Sequence, residues 1–205
     1  MPKGLIASED RIRCAWCGND PLYQAYHDSE WGFPVRDDIR LFEKISLECF
    51  QGGLSWLTIL KKRDHFRRAF AGFDFTRVAR FDSRKVRRLL GDSGIVRHRG
   101  KIESTINNAR RCADMIDRFG SLSGYFWGFE PNPRSRPIQL TCNALQQMPA
   151  TRETSLLAKD LKRRGWTFVG PTTAYAFMQA MGLVNDHIHG CDVRLAAERQ
   201  RKHPT

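Results

Sequence analysis

The 205-residue sequence lacks any uninterrupted apolar stretch long enough to cross a bilayer. Its first ten residues, Met-Pro-Lys-Gly-Leu-Ile-Ala-Ser-Glu-Asp, also lack the apolar run of a secretory signal. No membrane association is expected, and a cytoplasmic location is. Acidic residues are scarce beside basic ones, 22 against 34, which leaves a formal net charge of +12. That excess fits a polyanion such as nucleic acid, although a basic surface alone does not require one. No segment shows the alternation of a half-buried strand, and no solenoid-length repeat recurs. In a reducing compartment the six cysteines, at 14, 17, 49, 112, 142 and 191, are expected as core residues or metal ligands.

What is present suffices for one folded unit. Hydrophobic residues make up 41% of the chain and aromatics 11%, enough to bury a core and exclude disorder over most of its length. Apolar spacing is helical: Leu41, Phe42, Ile45 and Cys49 share a face between Asp37 and Phe50, with Asp37 or Asp38 as the cap. Ser83 to Leu90 reads as a short helix. A longer one carries Ile102, Ile106, Ala109, Ala113 and Ile116 and stops at Gly120. Residues 129–141, with three prolines, read as a connection. Helices over Ser155–Arg164 and Pro171–Met181 follow, with Pro171 suited to a first helical position and Gly182 to the residue past the end. The fold class is all-α.

Between those last two helices lies Arg-Gly-Trp-Thr-Phe-Val-Gly-Pro-Thr-Thr-Ala, a turn bounded by Gly165 and Gly170. Free backbone N–H groups at the second helix's start would favour an anion, and Lys162, Arg163 and Arg164 precede the turn. A DNA phosphate suits that arrangement, but a plain αα-corner would look the same. With Gly-Leu-Val-Asn-Asp-His at 182–187, the stretch resembles helix–hairpin–helix DNA glycosylases. Where bifunctional members carry a lysine nucleophile, this chain has Thr172. Where the superfamily carries a catalytic aspartate it has Asn185, with Asp186 one residue on.

Further stretches narrow the resemblance. Arg-Cys-Ala-Trp at 13–16, Asp-Pro-Leu-Tyr-Gln-Ala-Tyr-His-Asp-Ser-Glu-Trp-Gly at 20–32 and Gln-Gly-Gly-Leu-Ser-Trp at 51–56 are similar to the bacterial 3-methyladenine DNA glycosylase I family. So are Gly-Ile-Val-Arg-His-Arg-Gly-Lys-Ile at 94–102 and Phe-Met-Gln-Ala-Met-Gly-Leu-Val-Asn-Asp-His at 177–187. The resemblance implies a single glycosylase domain over 1–205 with a helix–hairpin–helix fold, 1–12 and 200–205 being disordered tails. It implies a monomeric enzyme that hydrolyses 3-methyladenine from double-stranded DNA bearing alkylated bases, without lyase activity or a nucleotide cofactor.

It also implies one structural Zn2+ on Cys14, His27, His187 and Cys191, joining the two ends of the chain. Two cysteines and two histidines are a sound tetrahedral set, and His187 and Cys191 are one turn apart. The Cys14–His27 spacing is weak alone, and Cys17 and His189 could compete as ligands. For the base pocket the resemblance implies Tyr26, Trp56 and Glu48, with Trp16 and Tyr23 also lining it. Independently, Glu48 falls toward the apolar stripe of its helix and needs a partner. That partner is either Lys44, one turn earlier, or the amino group of a flipped base. Gly53 and Leu54 are expected at the DNA, Leu54 as a wedge; a core leucine opening the next helix would be spaced alike. Two rival readings are a non-catalytic, zinc-stabilised DNA-binding module and a zinc hydrolase with an open metal position.

Overall fold

The computed structural model describes residues 2–8, 11–137, 139–148 and 150–202. It opens with two short antiparallel strands, β1 (Leu5–Ser8) and β2 (Arg11–Cys14), in the register Leu5 opposite Cys14. Helices follow: α1 (Pro21–Ser29), α2 (Asp38–Gln51), α3 (Trp56–Ala69), α4 (Phe75–Val78), α5 (Ser83–Gly91) and α6 (Arg99–Phe119). Then come α7 (Leu122–Trp127), α8 (Cys142–Gln146), α9 (Arg152–Arg163), α10 (Pro171–Ala180) and α11 (Arg194–Lys202). The protein is mostly helical, and none of its described helices is long and apolar enough to cross a membrane.

Local chemistry sets the helix ends. Asp20 caps α1 ahead of Pro21, and Asp37 caps α2 by accepting from the Arg40 N–H at 2.8 Å. Asp38 has another duty: its carboxylate accepts from the Leu122 and Ser123 N–H groups, so α2 caps α7. Gly120 ends α6 with φ +79°. Gly182, at φ +74°, follows α10 where a Cβ would meet the Phe33 carbonyl carbon at 2.4 Å, so no other residue fits.

Helix α2 is the axis of the molecule, buried without a break from Leu41 to Phe50. Around it Phe42, Phe50, Phe66, Phe70, Phe73, Phe126 and Phe177 are fully enclosed. Each such side chain contributes about 1.5–3 kcal/mol of apolar burial.

Three expectations need correction. The chain is not purely α-helical: residues 5–14, apart from 9 and 10, form a hairpin where a tail was expected. It is tied down by Asp192, whose carboxylate accepts from the Ile12 N–H at 2.7 Å. On α6 the buried stripe leaves Ala113 exposed and runs through Cys112 and Met115, because Met115 packs under the indole N–H of Trp166 at 3.2 Å. Finally, α11 is helical through Lys202, beyond the expected start of the second tail; residues 1, 9, 10 and 203–205 of the expected tails lie outside the described residues.

Candidate functional site

Strand β2 delivers Cys14 to the interior, and α1 places His27 beside it on the buried side of its last turn. From the far end of the chain, the segment after α10 brings His187 and Cys191. The four ligand atoms lie within 4.8 Å of one another, and all four residues are buried. His27 Nε2 is 3.2 Å from His187 Nδ1, and Cys191 Sγ is 3.6 Å from both nitrogens. Cys14 Sγ is 3.9 Å from His187 Nδ1.

The outer nitrogens are engaged elsewhere. His27 Nδ1 lies 2.7 Å from Asp28 Oδ1, and His187 Nε2 lies 2.9 Å from the Trp31 carbonyl. Each outer nitrogen therefore carries the proton, and each inner one turns a lone pair to the centre. The Cys14 N–H, donating to His27 Nε2 at 3.3 Å, agrees with that tautomer. Burial opposes charge on Asp28, yet hydrogen bonds from Arg13 and His27 hold its carboxyl below the usual range. The two thiols shift in opposite directions. Cys191 is drawn down, first by the hydrogen bond from Cys14 and then, against its burial, by the two imidazoles. Cys14 is pushed up by the same pairing and by burial. Such a buried donor set can hold a soft divalent metal. Neither alternative ligand joins it: Cys17 turns toward the Gly18 carbonyl and His189 is exposed.

Next to this cluster is a cavity of about 230 Å³. Trp16, Tyr23, Tyr26 and Trp31 wall one side, Trp56 another, and Glu48 and Lys44 of α2 form its polar end. All five sequence-selected pocket residues are thus brought together. Tyr26 and Trp56 stand 5.5 Å apart between centroids and are tilted by 41°. Trp16 meets the edges of Tyr23 at 5.0 Å and Trp31 at 4.9 Å. The buried indole N–H of Trp56 has no hydrogen-bond partner among the described residues.

Both readings of Glu48 meet in one place. Its Oε1 pairs with Lys44 Nζ at 2.7 Å, and Lys44 also donates to the Tyr26 hydroxyl at 2.8 Å. Burial, followed by the nearby Glu48, raises Tyr26 well above the usual phenol range, so it stays neutral. Sequence spacing named Lys44 only as a helical neighbour. It missed Gln179, whose amide lines the cavity and donates to Asp186 at 2.8 Å. Asp186 is fully buried, accepts from Tyr175 at 2.6 Å and pairs with Arg136, so it reaches the cavity only through Gln179. Asn185 donates to the Arg194 carbonyl and Glu198 of α11. A larger cavity, about 440 Å³, lies against α11, where Arg136, Arg194 and Arg201 already have protein partners.

The turn between α9 and α10 is strapped to α6. Asn108 exchanges two hydrogen bonds with Thr167, and Asn107 donates to the Gly165 carbonyl. Gly165 has φ +82°, and Gly170 precedes Pro171 with no side chain to cap the exposed start of α10, where Thr172 lies. The basic trio is not gathered at this tip. Asp160 holds Arg163 and also Arg164, whose guanidinium lies over Phe119 and Tyr125. Lys162 is exposed on α9. Leu54 is 42% exposed, which rules out the core-leucine alternative. Gly53 turns with φ +85°, and Lys101 of α6 clamps the loop by donating to the Phe50 and Gly52 carbonyls at 2.8 and 2.7 Å. Phe168, 49% exposed and unmarked by sequence reasoning, rests against His98 and Gly100 at the same end of α6. Both loops therefore converge on one surface.

Residues 16–195 match the family model described as methyladenine glycosylase. The chain is 48% identical over 180 residues to DNA-3-methyladenine glycosylase 1 of Escherichia coli, covering 87% of this chain and 95% of that one. A solved crystal structure of 3-methyladenine DNA glycosylase I superposes with a TM-score of 0.81 at 46% identity, covering 88% and 98% of the two chains. A variant of such an enzyme, solved in complex with 3-methyladenine, gives a TM-score of 0.81 at 34% identity over 89% and 97%. With its aromatic cavity, buried carboxylate and Cys–His cluster in one helical fold, this chain belongs to the methyladenine glycosylase family.

Proposed function

We propose that this protein is a monomeric helix–hairpin–helix glycosylase that excises 3-methyladenine from alkylated double-stranded DNA, releasing the free base and leaving an intact abasic site. The observation that carries this reading is the cavity itself: electron-rich rings facing a buried carboxylate suit a flat cation. Methylation at N3 gives adenine a positive charge and makes it a good leaving group. The enzyme must extrude the nucleotide and hold the base between Tyr26 and Trp56, where a desolvated cation gains on the order of 2 kcal/mol from aromatic faces. Glu48 accepts from the base's amino group. Because Asp186 takes the Gln179 N–H, the Gln179 oxygen is left as a second acceptor. The C1′–N9 bond then breaks with its electron pair passing to the base, which becomes neutral. Water adds to C1′ and gives up a proton.

The Cys14, His27, His187 and Cys191 set is read as a structural zinc site. Bonds of about 2.0–2.1 Å to nitrogen and about 2.3 Å to sulfur require tetrahedral edges of about 3.3 Å between nitrogens and about 3.6 Å from nitrogen to sulfur. The observed 3.2, 3.6 and 3.6 Å fit, with 3.9 Å slightly long. Four protein ligands leave no open position, which favours a structural ion over a hydrolytic one.

Incubated with methylated duplex DNA, the protein is expected to release 3-methyladenine as the main free base seen by chromatography. With Thr172 at the superfamily's lysine position, borohydride should trap covalent adduct at far below the level of base release. Trapping comparable to release would refute the monofunctional reading, and no released base would refute the enzyme.

Leu54 is assigned as the wedge that fills the vacated stack, with Gly53 and the Gly165–Thr172 turn on the backbone. Being 42% exposed, it adds little to the core, so Leu54→Ala should leave the melting temperature within about 2 °C. Affinity for duplex with an abasic site should fall roughly tenfold, about 1.4 kcal/mol, as part of the unstacking repayment is lost. Unchanged affinity in a titration by fluorescence anisotropy would remove the wedge role.

A further inference from the structure

The proposed base cavity already holds a cation. Lys44 is buried, and its ammonium sits 2.7 Å from Glu48 Oε1, 2.8 Å from the Tyr26 hydroxyl and 3.1 Å from the centroid of the Trp56 ring. Those three contacts are an ion pair, a hydrogen bond and a cation–π contact. They are the same three groups that the reading above gives to 3-methyladenine. The three groups are thus engaged by an internal cation. A second cation that takes the same Trp56 face and the same Glu48 oxygen must displace the first.

We propose that Lys44 is a selectivity residue of the base pocket: it occupies the cation seat when the pocket is empty and surrenders its proton when a cationic, N3-alkylated base enters. This rests on the base-pocket reading of Tyr26, Trp56 and Glu48. A neutral base gains no charge pairing with Glu48 and so cannot repay the loss of the Lys44–Glu48 ion pair. A cationic base replaces that pair with its own. Lys44 thereby sets a threshold that ordinary adenine fails and an alkylated base passes.

The surroundings make the proton loss attainable. Burial, the largest influence, pulls Lys44 down to about 8, against the opposing pull of Glu48. From α1 and its end, Tyr26 and Glu30 face it; from α3, Arg63 and Arg67; from its own helix, Arg40, Glu43 and Glu48. Glu30 is paired with Arg63 and Glu43 with Arg67. Tyr23 lies across the cavity with its hydroxyl pushed up to about 12 by burial. From α10 comes Gln179 and from just past its end Met181, neither titratable. Lys44 is therefore a buried cation among paired neighbours, drawn by its burial to within reach of neutral pH.

The protons balance over a cycle. Entry of the cationic base sends the Lys44 proton to solvent. Cleavage leaves the base neutral, and water attack at C1′ yields one proton. Lys44 takes up a proton, re-pairs with Glu48 and reclaims the Trp56 face, which expels the product.

The test uses 3,9-dimethyladeninium, which carries the nucleoside's charge without a glycosidic bond, and follows binding by tryptophan fluorescence. For the wild-type protein its Kd should be about tenfold weaker at pH 7 than at pH 9, as expected for a competitor proton with a pKa near 8. Calorimetry in buffers of different ionisation enthalpy should show about 0.9 proton released per cation bound at pH 7 and about 0.1 at pH 9. Lys44→Gln, which removes the charge but can still donate to Glu48, should bind at pH 7 as the wild type does at pH 9 and show no slope. Lys44→Arg, whose charge does not titrate, should bind weakly at both. A flat wild-type profile without proton release would overturn the proposal, as would a slope that survives in Lys44→Gln. Glu48→Gln, compared with the wild type at pH 9 where Lys44 no longer competes, separates the two readings. If it weakens binding there while the wild-type profile is flat, only the role of Lys44 fails; if it leaves binding at pH 9 untouched, the pocket assignment fails first.

Discussion

Cys191→Ser protein is expected to purify without zinc and to melt roughly 10 °C or more below the wild type. The four proposed ligands pin segments 173 residues apart, as counted from Cys14 to His187. Closing a loop of that length removes about 5 kcal/mol of chain entropy from the unfolded state in the cross-link model. For a domain of this size each kcal/mol is worth about 2–4 °C, so the expected fall is roughly 10–20 °C before strain is deducted. Loss of the ion also leaves two imidazoles and a thiol facing one another in a dry interior. Metal analysis beside differential scanning calorimetry makes the check. Zinc-free wild-type protein prepared without chelator would defeat the assignment, and so would an unshifted melting temperature in Cys191→Ser.

Glu48→Gln should lower affinity for the cationic 3,9-dimethyladeninium at pH 9, and single-turnover excision of 3-methyladenine, by tenfold to a hundredfold while leaving the fold intact. Hydrogen bonds to a charged group contribute about 1.5–3 kcal/mol, and glutamine keeps the shape without the charge. Removing one member of a buried ion pair often unfolds a protein, because the other charge is stranded. Here the stranded partner has an exit. Glu48 is the main influence holding Lys44 up against its burial, so without that carboxylate Lys44 becomes neutral. For a group already near 8, neutralisation at pH 7 costs about 1.4 kcal/mol per pH unit, a small part of a domain's stability. Wild-type excision in Glu48→Gln would reduce the carboxylate to a structural partner of Lys44.

Helix positions were legible where the signal is local. Asp37, Gly120, Pro171 and Gly182 act through their own backbone, and each stands where its chemistry demands. The β1–β2 hairpin was not, since four-residue strands carry too short an alternation and their anchor, Asp192, is 180 residues away. The cluster of Cys14, His27, His187 and Cys191 was readable only through resemblance, because the Cys14–His27 spacing fits no common motif. Glu48 was readable from its place on the apolar stripe. Lys44 was visible as its neighbour, but its seat over Trp56 depends on the packing of α3, which periodicity does not encode. Arg164 misled for the same reason: a basic residue before a glycine turn suggests phosphate, whereas Asp160, Phe119 and Tyr125 had already engaged it.

The adjacency of Tyr26 and His27 on α1 bears on the order in which the protein can become active as it leaves the ribosome. Every aromatic ring of the cavity precedes residue 57, and α2 with Glu48 is translated early. Yet the wall that carries Trp16, Tyr23, Tyr26 and Trp31 is fastened through His27 and the Trp31 carbonyl to His187, which is translated long after them. A nascent chain thus holds the cavity's rings and Glu48 long before it can align them. Competence for an alkylated base switches on only once His187 and Cys191 have been added, and a premature stop before His187 silences the protein although no cavity ring is missing.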